Sequence, residues 1–271
     1  MNLDLTKYKR LFTFGCSFTE YRYPTWANIA SKMVPNAKFH NFGKSGAGNT
    51  FIANRITETH MKYNLNETDL VLVMWSTFCR EDRWIPYEPR YEVPAWVCPG
   101  NIYSQDEWLF TDDHYLKYYG QPITYLIRDL STITMAKGYL NSLPCDNFMM
   151  LSVPITHQQY INDPVTKDML NAYHPIFDQF PPDMFTYEMN GDWGDVIKYI
   201  VSKRSDEPII DYHPTPSNYC NYLKKIGFPV TAEIEQYAKE STDKLMNIKY
   251  DYELYEVFPE ESKIDYGKLL G

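Results

Sequence analysis

An α/β fold on a central parallel sheet is predicted for this chain by three features. Short apolar runs alternate with segments of helical periodicity along most of its length. The strongest run, Asp69 to Trp75, is continuous rather than alternating in Leu70, Val71, Leu72, Val73 and Met74, as expected for a strand buried on both faces. Several runs also end on small or turn-forming residues: Gly15 closes Leu11 to Phe14, Gly43 closes Lys38 to Phe42, and Pro154 closes Phe148 to Val153.

The elements follow in order. Leu11 to Phe14 reads as a buried strand running into the turn Gly15-Cys16-Ser17. Trp26 to Met33 has helical spacing, with Trp26, Ile29, Ala30 and Met33 on one face. Lys38 to Phe42 is a second strand, followed by the glycine-rich Gly43-Lys44-Ser45-Gly46-Ala47-Gly48 and a helix over Thr50 to Tyr63. After the strand at 69–75, Arg83 to Gln121 breaks the rhythm with Pro86, Pro89, Pro94 and Pro99 and a crowd of tryptophans and tyrosines. It reads as an aromatic-rich insertion folded over a site, because long irregular segments in compact domains are usually functional or disordered and this one is too aromatic for disorder. A helix is predicted over Pro122 to Asn141 and a strand over Phe148 to Val153. A second loop-rich insertion spans 156–190, a helix is expected over Trp193 to Arg204, and Ile209-Ile210 leads into Asp211. Two helices follow, near Ser217 to Ile226 and Thr231 to Met246. One domain, 1–248, carrying insertions near 83–121 and 156–190, is the simplest account, with 249–271 an acidic, tyrosine-rich tail of little periodicity that wraps the domain or a partner.

Composition narrows the function classes. The chain has 271 residues, enough to bury a sizeable core, and 44% hydrophobic against 23% charged residues suits a globular protein. A formal net charge of -9 argues against a broad phosphate-binding surface, so no nucleic-acid partner is expected. The 24 tyrosines suggest wet grooves or interfaces, and the insertions and tail are the expected places for self-association or a protein partner. Cys16, Cys79, Cys98, Cys145 and Cys220 form no paired motif, which fits a reducing compartment and excludes a recognisable zinc site. Without a signal-like apolar run at Met1 to Arg10 or a stretch long enough to span a bilayer, a cytoplasmic location and no membrane partner are expected. His40, His60, His114, His157 and His174 are scattered without metal-ligand spacing, and no dinucleotide or Walker-type loop occurs, so no cofactor is expected.

Two segments carry the chemistry. Ser17, just beyond a strand, lies at the carboxyl edge of the sheet, where open α/β sheets place ligands. A serine there becomes a nucleophile only with a base in reach. His213 in Asp211-Tyr212-His213-Pro214 is the candidate, with Asp211 as its orienting carboxylate. Cys16 is a rival nucleophile, but its side chain is expected to point away from that of Ser17.

Together these segments resemble the SGNH hydrolases, or GDSL-like esterases. Gly15-Cys16-Ser17 is similar to the nucleophile block, Asn41-Phe42-Gly43-Lys44-Ser45-Gly46 to the second block and Asp211-Tyr212-His213-Pro214 to the last. The resemblance implies a flavodoxin-like three-layer α/β/α sandwich and a serine esterase without cofactor. It implies Ser17, His213 and Asp211 as catalytic residues and the backbone amides of Ser17 and Gly46 as oxyanion donors. O-acetyl or other small acyl groups on a carbohydrate or related small-molecule ester are the implied substrates. The alternatives are a catalytically weak binding or structural protein and an O-acyltransferase using the same site. The pattern departs in two places. The third block's asparagine is missing from Trp75-Ser76-Thr77-Phe78-Cys79-Arg80, which leaves Ser76, Thr77, Asn49 or Arg80 to supply the side-chain donor and Arg80 and Trp75 as candidate substrate contacts. Asp211 stands two residues before His213 rather than the family's three.

Overall fold

The computed structural model describes residues 5–88, 93–103, 113–154, 164, 166–189, 197–201, 208–211, 213–250 and 252–261. Its centre is a parallel sheet of four strands: β1 (Arg10–Gly15), β2 (Lys38–Gly43), β3 (Asp69–Trp75) and β6 (Asp146–Leu151), in the order β2-β1-β3-β6. Register is continuous, pairing Gly15 with Gly43 and Phe14 with Val73, so β1 and β2 end level with each other. Every residue of β3 is buried, as its unbroken apolar run requires.

The strand order fixes the layers. The chain moves one way from β1 to β2 through α1 (Trp26–Met33) and the other way from β2 to β3 through α2 (Asn49–Tyr63). Right-handed crossovers therefore place α1 and α2 on opposite faces. The next crossover, through α4 (Pro122–Asn141), continues in the second direction, and α4 packs beside α2 accordingly. On the other face α1 packs against α7 (Pro216–Lys225) and α8 (Ala232–Met246). The expected three-layer α/β sandwich is what the structure shows, and its strand order reverses between β1 and β3. A reversal of this kind opens a crevice at the carboxyl ends of the strands.

Between β3 and α4 the aromatic insertion begins as an antiparallel hairpin, β4 (Arg83–Glu88) with β5 (Val93–Val97), and ends in α3 (Asp113–Tyr119). Its register slips between Ile85 and Glu88, at Pro86, which has no N–H to give a ladder. Trp96 anchors the hairpin by meeting Phe51 of α2 edge to face at 5.7 Å and Trp84 at 6.3 Å.

Three sequence expectations need correction. The helix expected over Trp193 to Arg204 is, in its described part, the strand β7 (Ile197–Val201), paired antiparallel with β8 (Pro208–Asp211). The run Ile197-Lys198-Tyr199-Ile200-Val201 is rich in β-branched and aromatic residues, and a partner strand in reach decides for the extended form. The second insertion is less loop-like than its prolines suggest: α5 (Lys167–Phe177) and α6 (Met184–Met189) form where Leu170 and Met184 find buried places. The tail contains α9 (Glu253–Val257), which buries Leu254 and, just beyond it, Phe258 against Tyr23 in a small core apart from the main one. Among the described residues no helix is long and apolar enough to cross a membrane.

Candidate active site

The site is built at the carboxyl ends of β1, β2 and β3. The turn after β1 is closed by Cys16, whose carbonyl accepts from the amides of Thr19 at 2.9 Å and Glu20 at 3.2 Å. Gly15 is needed here because a Cβ would lie 1.9 Å from the Thr19 hydroxyl and 2.8 Å from the Met74 carbonyl. Thr19 is held in turn: its hydroxyl accepts from the Trp26 indole at 3.1 Å, and its carbonyl accepts from the Thr25 hydroxyl at 2.7 Å and the Asn41 amide at 2.8 Å. Asn41 completes the tie, its Oδ1 accepting from the Thr13 hydroxyl and the Gly43 amide, both at 3.0 Å. Within this frame the Cys16 side chain belongs to the main core, and Ser17 is buried with 8% of its surface exposed. The Ser17 hydroxyl has no hydrogen-bond partner among the described residues, so no bond opposes its rotation.

His213 comes to this turn from the far end of the chain. Its ring stacks on Tyr21, with centroids 3.9 Å apart and planes 18° from parallel, and meets the ring of Phe18 edge-on at 5.5 Å. Its carbonyl accepts from the Tyr23 hydroxyl at 3.4 Å. Ser17 and His213 are thus brought into one neighbourhood through the residue after the serine. Asp211 ends β8, and its side chain lies outside the described residues.

Gly46 occupies the third position of a tight turn. Ala47 N donates to the Lys44 carbonyl at 3.0 Å, and Gly46 has a φ of 78°, the left-handed conformation that this place in a type II turn demands. A Cβ on Gly46 would lie 2.2 Å from the Cys98 carbonyl, so the strand end of the aromatic hairpin is laid directly over this glycine. Neither the Ser17 nor the Gly46 amide has an acceptor among the described residues, which leaves both available to an anion. Gly46→Ala is expected to lower stability by more than about 1 kcal/mol, since alanine is strained at positive φ and here also meets a backbone oxygen. A urea midpoint that stays in place would contradict this account.

Among the remaining candidates, Asn49 and Arg80 are engaged in hydrogen bonds within the protein. Asn49 is completely buried. Its Oδ1 accepts from the Ser76 amide at 2.8 Å, and its Nδ2 donates to the Ser76 carbonyl at 3.1 Å and to Asp129 at 2.9 Å. With both amide protons engaged it has none for an oxyanion, so it is a brace between α2 and the end of β3. Trp75 is also fully buried and offers no surface to a substrate. The Ser76 hydroxyl is sealed from solvent and has no partner among the described residues, while Thr77 is partly exposed. Arg80, expected at the substrate, donates from Nη1 to the Ala47 carbonyl at 2.8 Å and so holds the Gly46 turn. Its Nε is buried with no partner among the described residues.

Sequence reasoning missed the carboxylates beneath this turn. Asp82 accepts from the amides of Gly48 at 2.8 Å and Phe51 at 2.9 Å, capping α2 from another segment. Burial pushes its carboxyl upward against these bonds, and burial pushes the neighbouring Cys98 thiol well above its usual range. Asp129 on α4 is buried and raised to about 6, with Arg128 and Asn49 opposing the shift. Arg128 donates to Asp129 at 2.9 Å, to Glu81 at 3.0 Å and to the Arg80 carbonyl at 2.6 Å, binding α4 to the loop after β3. Acidic residues in a loop and mid-helix carry no periodic signal that marks them as buried. Only the pair Asn49 and Asp129 facing each other across two helices reveals it.

No family model matches the sequence, and no curated protein matches it. Among solved structures the chain is similar to a member of the lipolytic protein G-D-S-L family from Veillonella parvula, at 14% identity over 82% of this chain and 100% of that one, with a TM-score of 0.41. It is similar to a putative lipolytic protein of the same family from Desulfitobacterium hafniense, at 12% identity over 86% of this chain and 99% of that one, TM-score 0.40. It is also similar to an acetylxylan esterase from Geobacillus stearothermophilus, at 14% identity over 81% of this chain and 94% of that one, TM-score 0.36. In this chain the parallel sheet of order β2-β1-β3-β6 lies between helical layers and carries Gly15-Cys16-Ser17 at the end of β1.

Proposed function

We propose that the chain is a serine ester hydrolase of SGNH type, acting on small acyl groups such as O-acetyl carried by a carbohydrate or related alcohol. The observation that carries this reading is the meeting of the Ser17 turn with His213 at the strand-order reversal, through the ring contacts with Phe18 and Tyr21. In the proposed reaction Ser17 Oγ attacks the ester carbonyl while His213 takes its proton. The carbonyl oxygen gains negative charge against the amides of Ser17 and Gly46. The tetrahedral intermediate collapses by breaking the bond to the alcohol, which leaves with the proton from His213. Water then repeats the sequence on the acyl-serine, releasing the acid and restoring Ser17. Asp211 orients His213 in this scheme. The carbohydrate preference is drawn from the resemblance and from the name of the acetylxylan esterase among the similar structures.

A fluorophosphonate probe tests the reading. Covalent labelling at Ser17, located by peptide mass spectrometry and abolished by prior heat denaturation, is expected. One observation favours a second reading, a binding protein on the same fold: the strand after which the family places an oxyanion asparagine has none, and Asn49 is fully engaged. A well-folded chain that stays unlabelled would favour that alternative. Transfer of the acyl group to an added sugar, instead of release as free acid, would make the protein an acyltransferase.

A further inference from the structure

We propose that Tyr21 is the positioning residue for the His213 imidazole, holding it by its face; this rests on the ester-hydrolase reading of Ser17 and His213. The ring centroids are 3.9 Å apart and the planes nearly parallel, at 18°. The nitrogens of an imidazole lie in its plane and their bonds point outward from its rim. A face contact therefore fixes the ring plane without itself engaging either ring nitrogen. Phe18 closes the second direction, its ring meeting His213 at 5.5 Å and 62°.

Tyr21 is itself held by aromatic packing. Its ring meets that of Tyr23 edge-on, at 5.0 Å and 87°. Tyr23 is completely buried in the small second core with Leu245, Ile248, Leu254 and Phe258, against which Tyr21 packs. The hydroxyl of Tyr23 donates to the His213 carbonyl. One aromatic pair thus grips the histidine at ring and backbone, and the end of α8 together with α9 supports that pair from behind. Tyr21 directly follows the Cys16–Glu20 turn that carries Ser17.

The contact also has the right sense for catalysis. When His213 takes the serine proton it becomes a cation, and the face of a tyrosine ring attracts a cation. An interaction that strengthens as charge develops accelerates the chemical step rather than merely tightening binding.

The test compares wild type, Tyr21→Phe and Tyr21→Leu for the rate of fluorophosphonate labelling at Ser17 and for kcat and KM with p-nitrophenyl acetate. Tyr21→Phe keeps the ring face and is expected to stay within about two-fold of wild type in all three. Tyr21→Leu is expected to lower kcat and the labelling rate about ten-fold while KM changes less than about two-fold, the mark of an interaction made in the transition state. Labelling of Tyr21→Leu at the wild-type rate would overturn the proposal and leave the ester-hydrolase reading standing. So would a Tyr21→Phe variant whose kcat and labelling rate fall about ten-fold below wild type, which decides the matter even if the leucine variant fails to fold. Wild type that resists labelling would overturn both.

Discussion

Ser17→Ala should abolish turnover of p-nitrophenyl acetate, with a fall in kcat on the order of 10^4-fold or more. The hydroxyl supplies the attacking oxygen, and alanine leaves nothing in its place that can form an acyl intermediate. The fold should be unaffected, because the Ser17 hydroxyl makes no hydrogen bond to any described residue and the surrounding turn is held by Cys16, Thr19 and Asn41. His213→Ala should cost a comparable factor. The double variant should be no slower than the slower single one, since nucleophile and base act as a unit. Two independent losses that multiply, or a Ser17→Ala enzyme within about ten-fold of wild type, would place the chemistry elsewhere.

A pH effect on stability of about 3 kcal/mol is expected from Asp129 alone. Burial raises its carboxyl from an ordinary 3.8 to about 6 in the folded chain, a difference of about 2 pK units at about 1.4 kcal/mol each. Between these values the folded state holds more protons than the unfolded one, so stability falls as pH rises from about 4 to about 6 and is level above. Asp129→Asn has no proton to lose. Relative to that variant, wild type should therefore lose about 3 kcal/mol between pH 4 and pH 7, measured by urea unfolding at each pH. Asp82, also raised by burial, contributes a slope of the same sign in both proteins, and its charge is one of the causes that raise Asp129. Parallel profiles for the two proteins would show that Asp129 titrates normally. The cost of burying Asp129 is offset by the order it imposes: Asn49 bonds it and, through Ser76, pins the end of β3 beside the site.

Much of the architecture was legible because it depends on local pattern. The boundaries of α1, β3 and α4 fall where the sequence periodicity puts them, and β2 differs by one residue. Long apolar or amphipathic runs carry their own signal. Ile197 to Val201 did not, since a five-residue apolar segment suits helix or strand until a partner strand is known. Leu170, Met184 and Leu254 were equally hidden, because a lone apolar residue among prolines and acids predicts a helix only once something exists for it to pack against.

The candidate site divides in the same way. Ser17, Gly46 and His213 could be read as motifs because each needs a distinctive local sequence: a small-residue turn after a strand, a glycine at positive φ, and a histidine before proline. Their meeting, however, is a tertiary fact. The stacking of Tyr21 on His213 and the engagement of Asn49 join segments distant in sequence, as do the holding of the Gly46 turn by Arg80, the capping of α2 by Asp82 and the layer of hairpin backbone over Gly46. By itself the sequence determined the parallel sheet, its helical layers and the strand-end turns, since backbone sterics and hydrophobic periodicity act over a few residues. Only the tertiary structure decided which polar groups face the crevice and which are consumed bracing it. That choice depends on which partners burial brings within hydrogen-bonding distance.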